Sequence, residues 1–191
     1  MTLFSALLAA TSAIWIAFEI WLLVRDRVQG KGRTEKDRGT RYFNIIAVAV
    51  GVTLASVLNG KSRYFFPGGR SDTGFWIGLA IVYAGFGLRA WAVIVLGSSF
   101  RTTIETHADQ RVQRSGPYKL VRHPSYSGLL LMCAGYGIAV QNLLSLACAV
   151  VLPLVAIVYR IRVEEAVLVS SIGADYREYQ RVTKKLIPWV W

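Results

Sequence analysis

Both histidines of the chain, His107 and His123, fall in one polar stretch between Gly97 and Ser125, and the second stands in the run Ser115-Gly116-Pro117-Tyr118-Lys119-Leu120-Val121-Arg122-His123-Pro124-Ser125-Tyr126-Ser127-Gly128. Gly-Pro makes a turn. A residue before proline is pushed toward extended backbone, and proline itself opens a helix well. The run therefore places Arg122 and His123 at a helix N-terminus, where backbone N–H groups favour an anion such as a carboxylate. Capping alone would also account for His123. A second constellation follows at Arg160, Glu164 and Glu165. Arg160 and Glu164 are an i, i+4 pair on one helix face, which a solvated salt bridge would explain. Two adjacent carboxylates against an apolar boundary are partly desolvated and require a cationic partner.

Other chemistries have no footing in the sequence. No Walker A run occurs, and no Gly-x-Gly-x-x-Gly follows a strand. Gly85-Phe86-Gly87 and Gly135-Tyr136-Gly137 lie in apolar runs, so a soluble Rossmann-type domain is excluded. Cys133 and Cys148 are also within apolar stretches and read as small buried hydrophobes, with no disulfide framework and no metal-ligand spacing. A net charge of +11 invites a nucleic-acid reading, but the basic residues alternate with apolar runs and no nucleic-acid module is present.

The elements that must position these residues are membrane helices. Hydrophobic residues make up 54% of the 191, and mean hydropathy is +0.42. Five apolar segments run from Leu3 to Val24, Tyr42 to Leu58, Gly74 to Leu96, Tyr126 to Val140 and Leu143 to Tyr159. A spanning helix needs about 20 apolar residues, so the first and third suffice easily, the second and fifth are near the limit, and the fourth is short. The first is too long for a signal core and reads as a retained span. Only Gln141 and Asn142 separate the last two, which predicts a tight helical hairpin. Beyond it, Ile161 to Lys185 reads as an amphipathic helix, a break at Gly173 and a short helix from about Asp175, with Pro188 closing the helical region. Trp189 and Trp191 suit an interfacial anchor. With five spans, 18 basic residues fall on one side and three on the other, which puts the polar C-terminal segments in the cytoplasm. Gly74 and Gly78, then Gly85 and Gly87, offer small residues for close helix packing. Glu19 and Arg89 are charges inside apolar spans: a mutual ion pair, a polar path, or for Arg89 simple snorkelling.

Taken together, Gly-Pro-Tyr-x-x-Val-Arg-His-Pro-Ser-Tyr-x-Gly at 116–128 and Arg-x-x-x-Glu-Glu-x-x-Leu at 160–168 resemble the signature of the isoprenylcysteine carboxyl methyltransferase family. Gly173-x-x-Tyr176-x-x-Tyr179 and Leu186-Ile187-Pro188 extend the resemblance over roughly residues 97–188. It implies an all-α integral membrane bundle of about five helices: three N-terminal spans in 1–96, and a methyltransferase region in 97–191. It implies S-adenosylmethionine held without a Rossmann fold, in a pocket closed by the polar connection and the C-terminal helices. Cofactor contacts carried over are Tyr118, His123, Pro124, Ser125 and Tyr126. Upstream, Gln110, Arg111, Val112 and Gln113 correspond to another contact run, with Gln-Arg-Val-Gln here where the family usually has His-x-Leu-Val. Arg160 and Glu164 match positions at the substrate group, with Glu165 beside them. The acceptor would be an isoprenylcysteine-like carboxylate or another lipophilic molecule. Eukaryotic members have more spans than five, so the chain looks like a smaller type from a prokaryotic inner membrane. A phospholipid N-methyltransferase, a sterol-type NADPH reductase and a non-enzymatic membrane scaffold or transporter are the alternatives.

Overall fold

The computed structural model describes residues 3–28, 39–61, 66, 69–97 and 112–191. Six α-helices follow in order: α1 (Leu3–Val28), α2 (Thr40–Lys61), α3 (Asp72–Leu96), α4 (Pro124–Val140), α5 (Leu143–Ile172) and α6 (Ala174–Val182). A 3-10 turn, Gly116–Lys119, precedes α4. Four helices, α1, α2, α3 and α5, are long and apolar enough to cross a membrane. The fourth apolar segment forms the 17-residue α4, about 25 Å at 1.5 Å per residue, against a hydrocarbon core of about 30 Å. The expected five-helix membrane bundle is thus what the chain builds.

Gln141 and Asn142 make the hairpin between α4 and α5. Gln141 takes left-handed backbone (φ 57°, ψ 38°), and Asn142 caps α5 by accepting from the Ser145 N–H at 3.0 Å. The Gln141 side chain also holds the start of α3, accepting from the Ser71 N–H and donating to the Ser71 carbonyl, both at 2.7 Å. α5 differs from expectation in one respect. No break separates span from amphipathic segment: 30 residues run as one helix to Ile172, roughly 45 Å and longer than the bilayer core. One rigid rod therefore carries Arg160, Glu164 and Glu165. Gly173 ends it with φ 76°, backbone that a side chain would strain, and α6 starts at once. α6 stops at Val182, three residues short of Lys185, where the helical region was expected to end ahead of Pro188. Thr183 turns extended (φ −126°, ψ 158°), and its hydroxyl takes the Tyr179 carbonyl at 2.6 Å. Beyond it Trp189 is exposed, while Lys185 Nζ stands 5.6 Å from the Trp191 ring.

Glycine sets the closest helix contacts. A Cβ on Gly78 would lie 2.2 Å from the Ala139 nitrogen, and one on Gly85 would lie 2.6 Å from the Gly128 carbonyl oxygen. From the α4 side, a Cβ on Gly135 would meet the Val82 nitrogen at 2.6 Å. α3 and α4 are therefore in backbone-to-backbone contact over most of their length, as small residues permit in lipid. Gly87, grouped with these in the sequence, has open space instead. α1 lies against α3, with Phe4 on Phe75 at one end and Leu22 on Val93 toward the other. Between these contacts Glu19 and Arg89 form the ion pair that was among their expected roles, Nε to Oε1 at 2.7 Å.

Overpacking a tight core costs about 1–3 kcal/mol, which for a protein of this size lowers Tm by about 2–12 °C. Gly85→Val and Gly135→Val are expected to show that loss in detergent, while Gly87→Val stays within about 2 °C of the parent. Scanning fluorimetry of the three variants checks it; equal losses in all three would remove the packing role.

Candidate active site

The polar connection and the tail are stitched together backbone to backbone. The Arg122 N–H donates to the Lys184 carbonyl at 2.7 Å and the His123 N–H to the Lys185 carbonyl at 3.0 Å, within a parallel bridge between Val121 and Lys184. Ser127 Oγ reaches the Leu186 carbonyl at 2.6 Å, and the Tyr179 hydroxyl donates to the Tyr118 carbonyl at 2.6 Å. At the surface Arg114 pairs with Asp175 of α6. The amides expected to receive an anion are consequently occupied: those of Arg122 and His123 by tail carbonyls, those of Tyr126 and Ser127 by the His123 carbonyl. His123 precedes Pro124 with φ −124° but ψ 57°, short of full extension, because its carbonyl must turn inward to accept those two helical bonds.

The carboxylate at this end is Glu165, and side chains receive it. Arg122 Nε donates to Oε1 at 2.7 Å, His123 Nε2 lies 3.2 Å from the same oxygen, and Lys185 Nζ is 3.9 Å from Oε2. Since an ionised carboxylate only accepts, Nε2 is the protonated ring nitrogen. The Glu165 side chain is 11% exposed, and a charge so far from water requires such partners. Arg122 also donates through Nη1 to the carbonyls of Gln180 and Thr183 at the end of α6, where a cation complements the helix dipole.

One turn further in, the hydroxyl of Tyr126 joins α4 to α5. It accepts from Arg160 Nε at 2.5 Å and donates to Glu164 Oε2 at 2.9 Å. Arg160 is buried and reaches with Nη1 to the Thr40 hydroxyl at 3.0 Å, so α2 closes the group from a third side. The His123 ring stacks over Tyr126, centroids 5.7 Å apart, and its Nδ1 is 3.9 Å from Glu164 Oε1. Glu164, at 27% exposure, is the more open of the two carboxylates. Three tyrosines surround the group outside the membrane spans. Burial pushes the hydroxyls of Tyr118 and Tyr176 far above their ordinary range. It lifts Tyr179 to about 12 despite the opposing charges of Arg122 and Arg114. All three stay protonated near neutrality, and Tyr118 and Tyr179 donate to the carbonyls of Ala92 and Tyr118.

Of the residues singled out in the sequence, His123, Tyr126, Arg160, Glu164 and Glu165 therefore converge. Tyr118 borders them, buried, its hydroxyl 3.4 Å from the Ala92 carbonyl. Pro124 opens α4 as foreseen. Ser125 faces away, and its hydroxyl accepts from Arg89 at 2.7 Å. Gln113 is bound into its own turn, donating to the Val95 carbonyl at 2.9 Å and accepting from Arg114 and Ser115, while Val112 beside it is half-buried. Gln110, Arg111 and His107 lie outside the described residues. Thr40 was not foreseen: a threonine after a basic stretch carries no local signal, and only the packing of α2 on α5 brings it to Arg160. Lys185 and Thr183 were missed for the same reason.

A profile of the isoprenylcysteine carboxyl methyltransferase family matches residues 76–170, which include both constellations. Protein-S-isoprenylcysteine O-methyltransferase B of Arabidopsis thaliana is 32% identical over 173 residues, 79% of this chain and 87% of that protein. The corresponding protein of Tribolium castaneum is 32% identical over 66% of this chain and 46% of its own length. Among solved structures, the eukaryotic intramembrane Ras methyltransferase ICMT superposes with a TM-score of 0.62 at 25% identity, covering 76% of this chain and 52% of that one. These relatives are eukaryotic, so they lend nothing to the expectation of a prokaryotic membrane. Identity at this level across nearly the whole of the Arabidopsis protein has one consequence: the chain belongs to the isoprenylcysteine carboxyl methyltransferase family.

Proposed function

We propose that the chain methylates the carboxylate of a lipophilic, isoprenylcysteine-like acceptor, with S-adenosylmethionine as donor, at a site facing the cytoplasm. The observation that carries this is the Tyr126 hydroxyl, which gathers Arg160 and Glu164 where a membrane helix leaves the apolar core. The group has the chemistry both reactants need. A guanidinium suits the acceptor carboxylate. A partly open carboxylate beside a stacked His123–Tyr126 pair suits a sulfonium cation. Glu165, already balanced by Arg122, His123 and Lys185, is left the role of holding the connection and the tail in place. The C-terminal region from 97 to 191 is accordingly the part that carries the chemistry.

When bound, S-adenosylmethionine would supply an electrophilic methyl group for in-line attack by an ionised carboxylate oxygen, the C–O bond forming as the C–S bond breaks and S-adenosylhomocysteine leaving with the electron pair. A carboxylate is already ionised near neutrality, so no strong general base is required, and the tyrosines here are none. What the protein contributes is alignment and exclusion of water. Arg160, steadied by Thr40 and Tyr126, orients the acceptor carboxylate. His123 and Tyr126 would hold the donor, and Glu164 would balance its positive charge. The lipophilic part of the acceptor remains in the bilayer beside the helices.

Three results test this. A saturating ligand at about 100 times its Kd stabilises by about 2.7 kcal/mol, or about 5–10 °C for a chain of this size. S-adenosylmethionine is expected to raise Tm of the solubilised protein by that amount and NADPH to leave it unchanged. The reverse pattern would point to a reductase, and no shift with either to a scaffold. Arg160→Ala is expected to keep its affinity for S-adenosylmethionine in calorimetry while turnover of a small S-prenylated cysteine falls at least about a hundredfold; normal turnover removes Arg160 from the site. His123→Ala is expected to weaken donor binding about tenfold, and unchanged affinity would take His123 out of the donor pocket.

A further inference from the structure

Glu19 and Arg89 stand apart from the site described above, yet Arg89 reaches the helix turn that bears it. Its Nε and Nη2 donate to the two oxygens of Glu19 at 2.7 and 2.8 Å, and Trp15 Nε1 lies 3.3 Å from the first of these. Nη1 turns the other way, donating to the Ser125 carbonyl at 3.1 Å and the Ser125 hydroxyl at 2.7 Å. Ser125 is the residue between Pro124 and Tyr126, in the first turn of α4, which His123 caps. Four of the five N–H groups of a guanidinium are engaged in this way, and Arg89 is only 6% exposed. Among the described residues it is built to hold protein.

We propose that Arg89 is a positioning residue for the methyl-transfer site, and that Glu19 makes α1 part of the support; this rests on the function proposed above. The backbone geometry explains why an arginine can do it. A Cβ on Gly128 would stand 2.6 Å from the Gly85 carbonyl oxygen and 2.8 Å from the Arg89 nitrogen. The two glycines bring α3 against α4 immediately below the guanidinium, so it spans from α1 to Ser125 without extending into lipid. A cation in an apolar span requires a counter-charge, and Glu19 supplies it from a helix that otherwise touches the bundle mainly through apolar side chains. Shifting the first turn of α4 moves the His123 ring and the Tyr126 hydroxyl together. Geometry of that kind governs transfer rates steeply, because the reacting groups must be held close and in line. Ser125, identified by the family resemblance as a donor contact, acts in this arrangement through Arg89.

The test uses the full chain in lipid nanodiscs as wild type, Glu19→Gln, Arg89→Met, Ser125→Ala and the Arg89→Met/Ser125→Ala double variant. Kinetic constants are taken well below every melting temperature. Amide exchange of residues 122–127 is followed by mass spectrometry without ligand. Glu19→Gln and Arg89→Met are expected to speed exchange in that segment and to raise KM for S-adenosylmethionine about tenfold. Ser125→Ala is expected to act in the same direction but less. The double variant should be no worse than Arg89→Met alone, because coupled residues are not additive. Folded variants that melt earlier but keep wild-type exchange at 122–127 and wild-type KM would overturn the proposal, as would additive effects in the double variant. Should Arg89→Met not fold, Glu19→Gln combined with Ser125→Ala gives the same cycle. Absence of donor binding and turnover in the wild type would sink the methyltransferase reading instead, while the exchange result still decides whether Arg89 and Glu19 hold the first turn of α4.

Discussion

A carboxylate carried out of a bilayer on a rigid helix has to be met by positive charge, and Glu165 is met from two distant parts of the chain at once. Arg122 and His123 come from the connection before α4, and Lys185 comes from the tail after α6. Breaking a buried pair on one side typically costs about 3–5 kcal/mol, so the connection, α5 and the tail are held as one unit. The parallel bridge at Val121 and Lys184 and the bond from Ser127 to Leu186 then follow with little additional ordering. His123 has its ring fixed by the same carboxylate, and Tyr126, stacked beneath it, is presented to Arg160 and Glu164.

The membrane part of the structure serves this arrangement through contact rather than chemistry. Between helices surrounded by lipid there is no hydrophobic drive to associate, so close packing and polar bonds must supply the attraction. α3 and α4 obtain it by removing side chains: Gly78 lies against Ala139, Gly85 against Gly128, and Gly135 against Val82. α2 and α5 use another close approach, Gly51 beneath the Cys148 carbonyl, reinforced by the Ser145 hydroxyl donating to the Ala55 carbonyl at 2.7 Å. The second pairing places Thr40 beside Arg160, and the first places Arg89 beside Ser125. Polar groups at the membrane face are therefore located by apolar surfaces well below them.

Local physics was enough for the elements. Apolar runs of membrane length specified α1, α2, α3 and the buried part of α5. Pro124 marked the start of α4, Gln141-Asn142 the hairpin, and Gly173 the turn into α6, because proline, short polar pairs and glycine act on the backbone within a residue or two. The boundary after Tyr159 was misplaced. The change from apolar to charged residues signals a change of environment, and a helix crosses that change without breaking. Pro188 misled for a related reason: α6 had already ended at Thr183, whose hydroxyl and whose partner Arg122 took over the final carbonyls.

The residue types at the site were legible from sequence as well, since His123, Arg160, Glu164 and Glu165 stand out by charge and spacing and Tyr126 by the family resemblance. Their assignment to one another was not. From spacing alone Arg160 and Glu164 are helix neighbours, whereas in the fold a tyrosine hydroxyl from α4 stands between them. Ser125 belongs to Arg89, and Glu165 to the connection and the tail. The sequence by itself determined which groups are present and which helices carry them, because those depend on neighbours along the chain. Only the tertiary structure decided which donor meets which acceptor, because buried charges take the partners that helix packing brings within about 3 Å, and these lie 34 to 120 residues away in the chain.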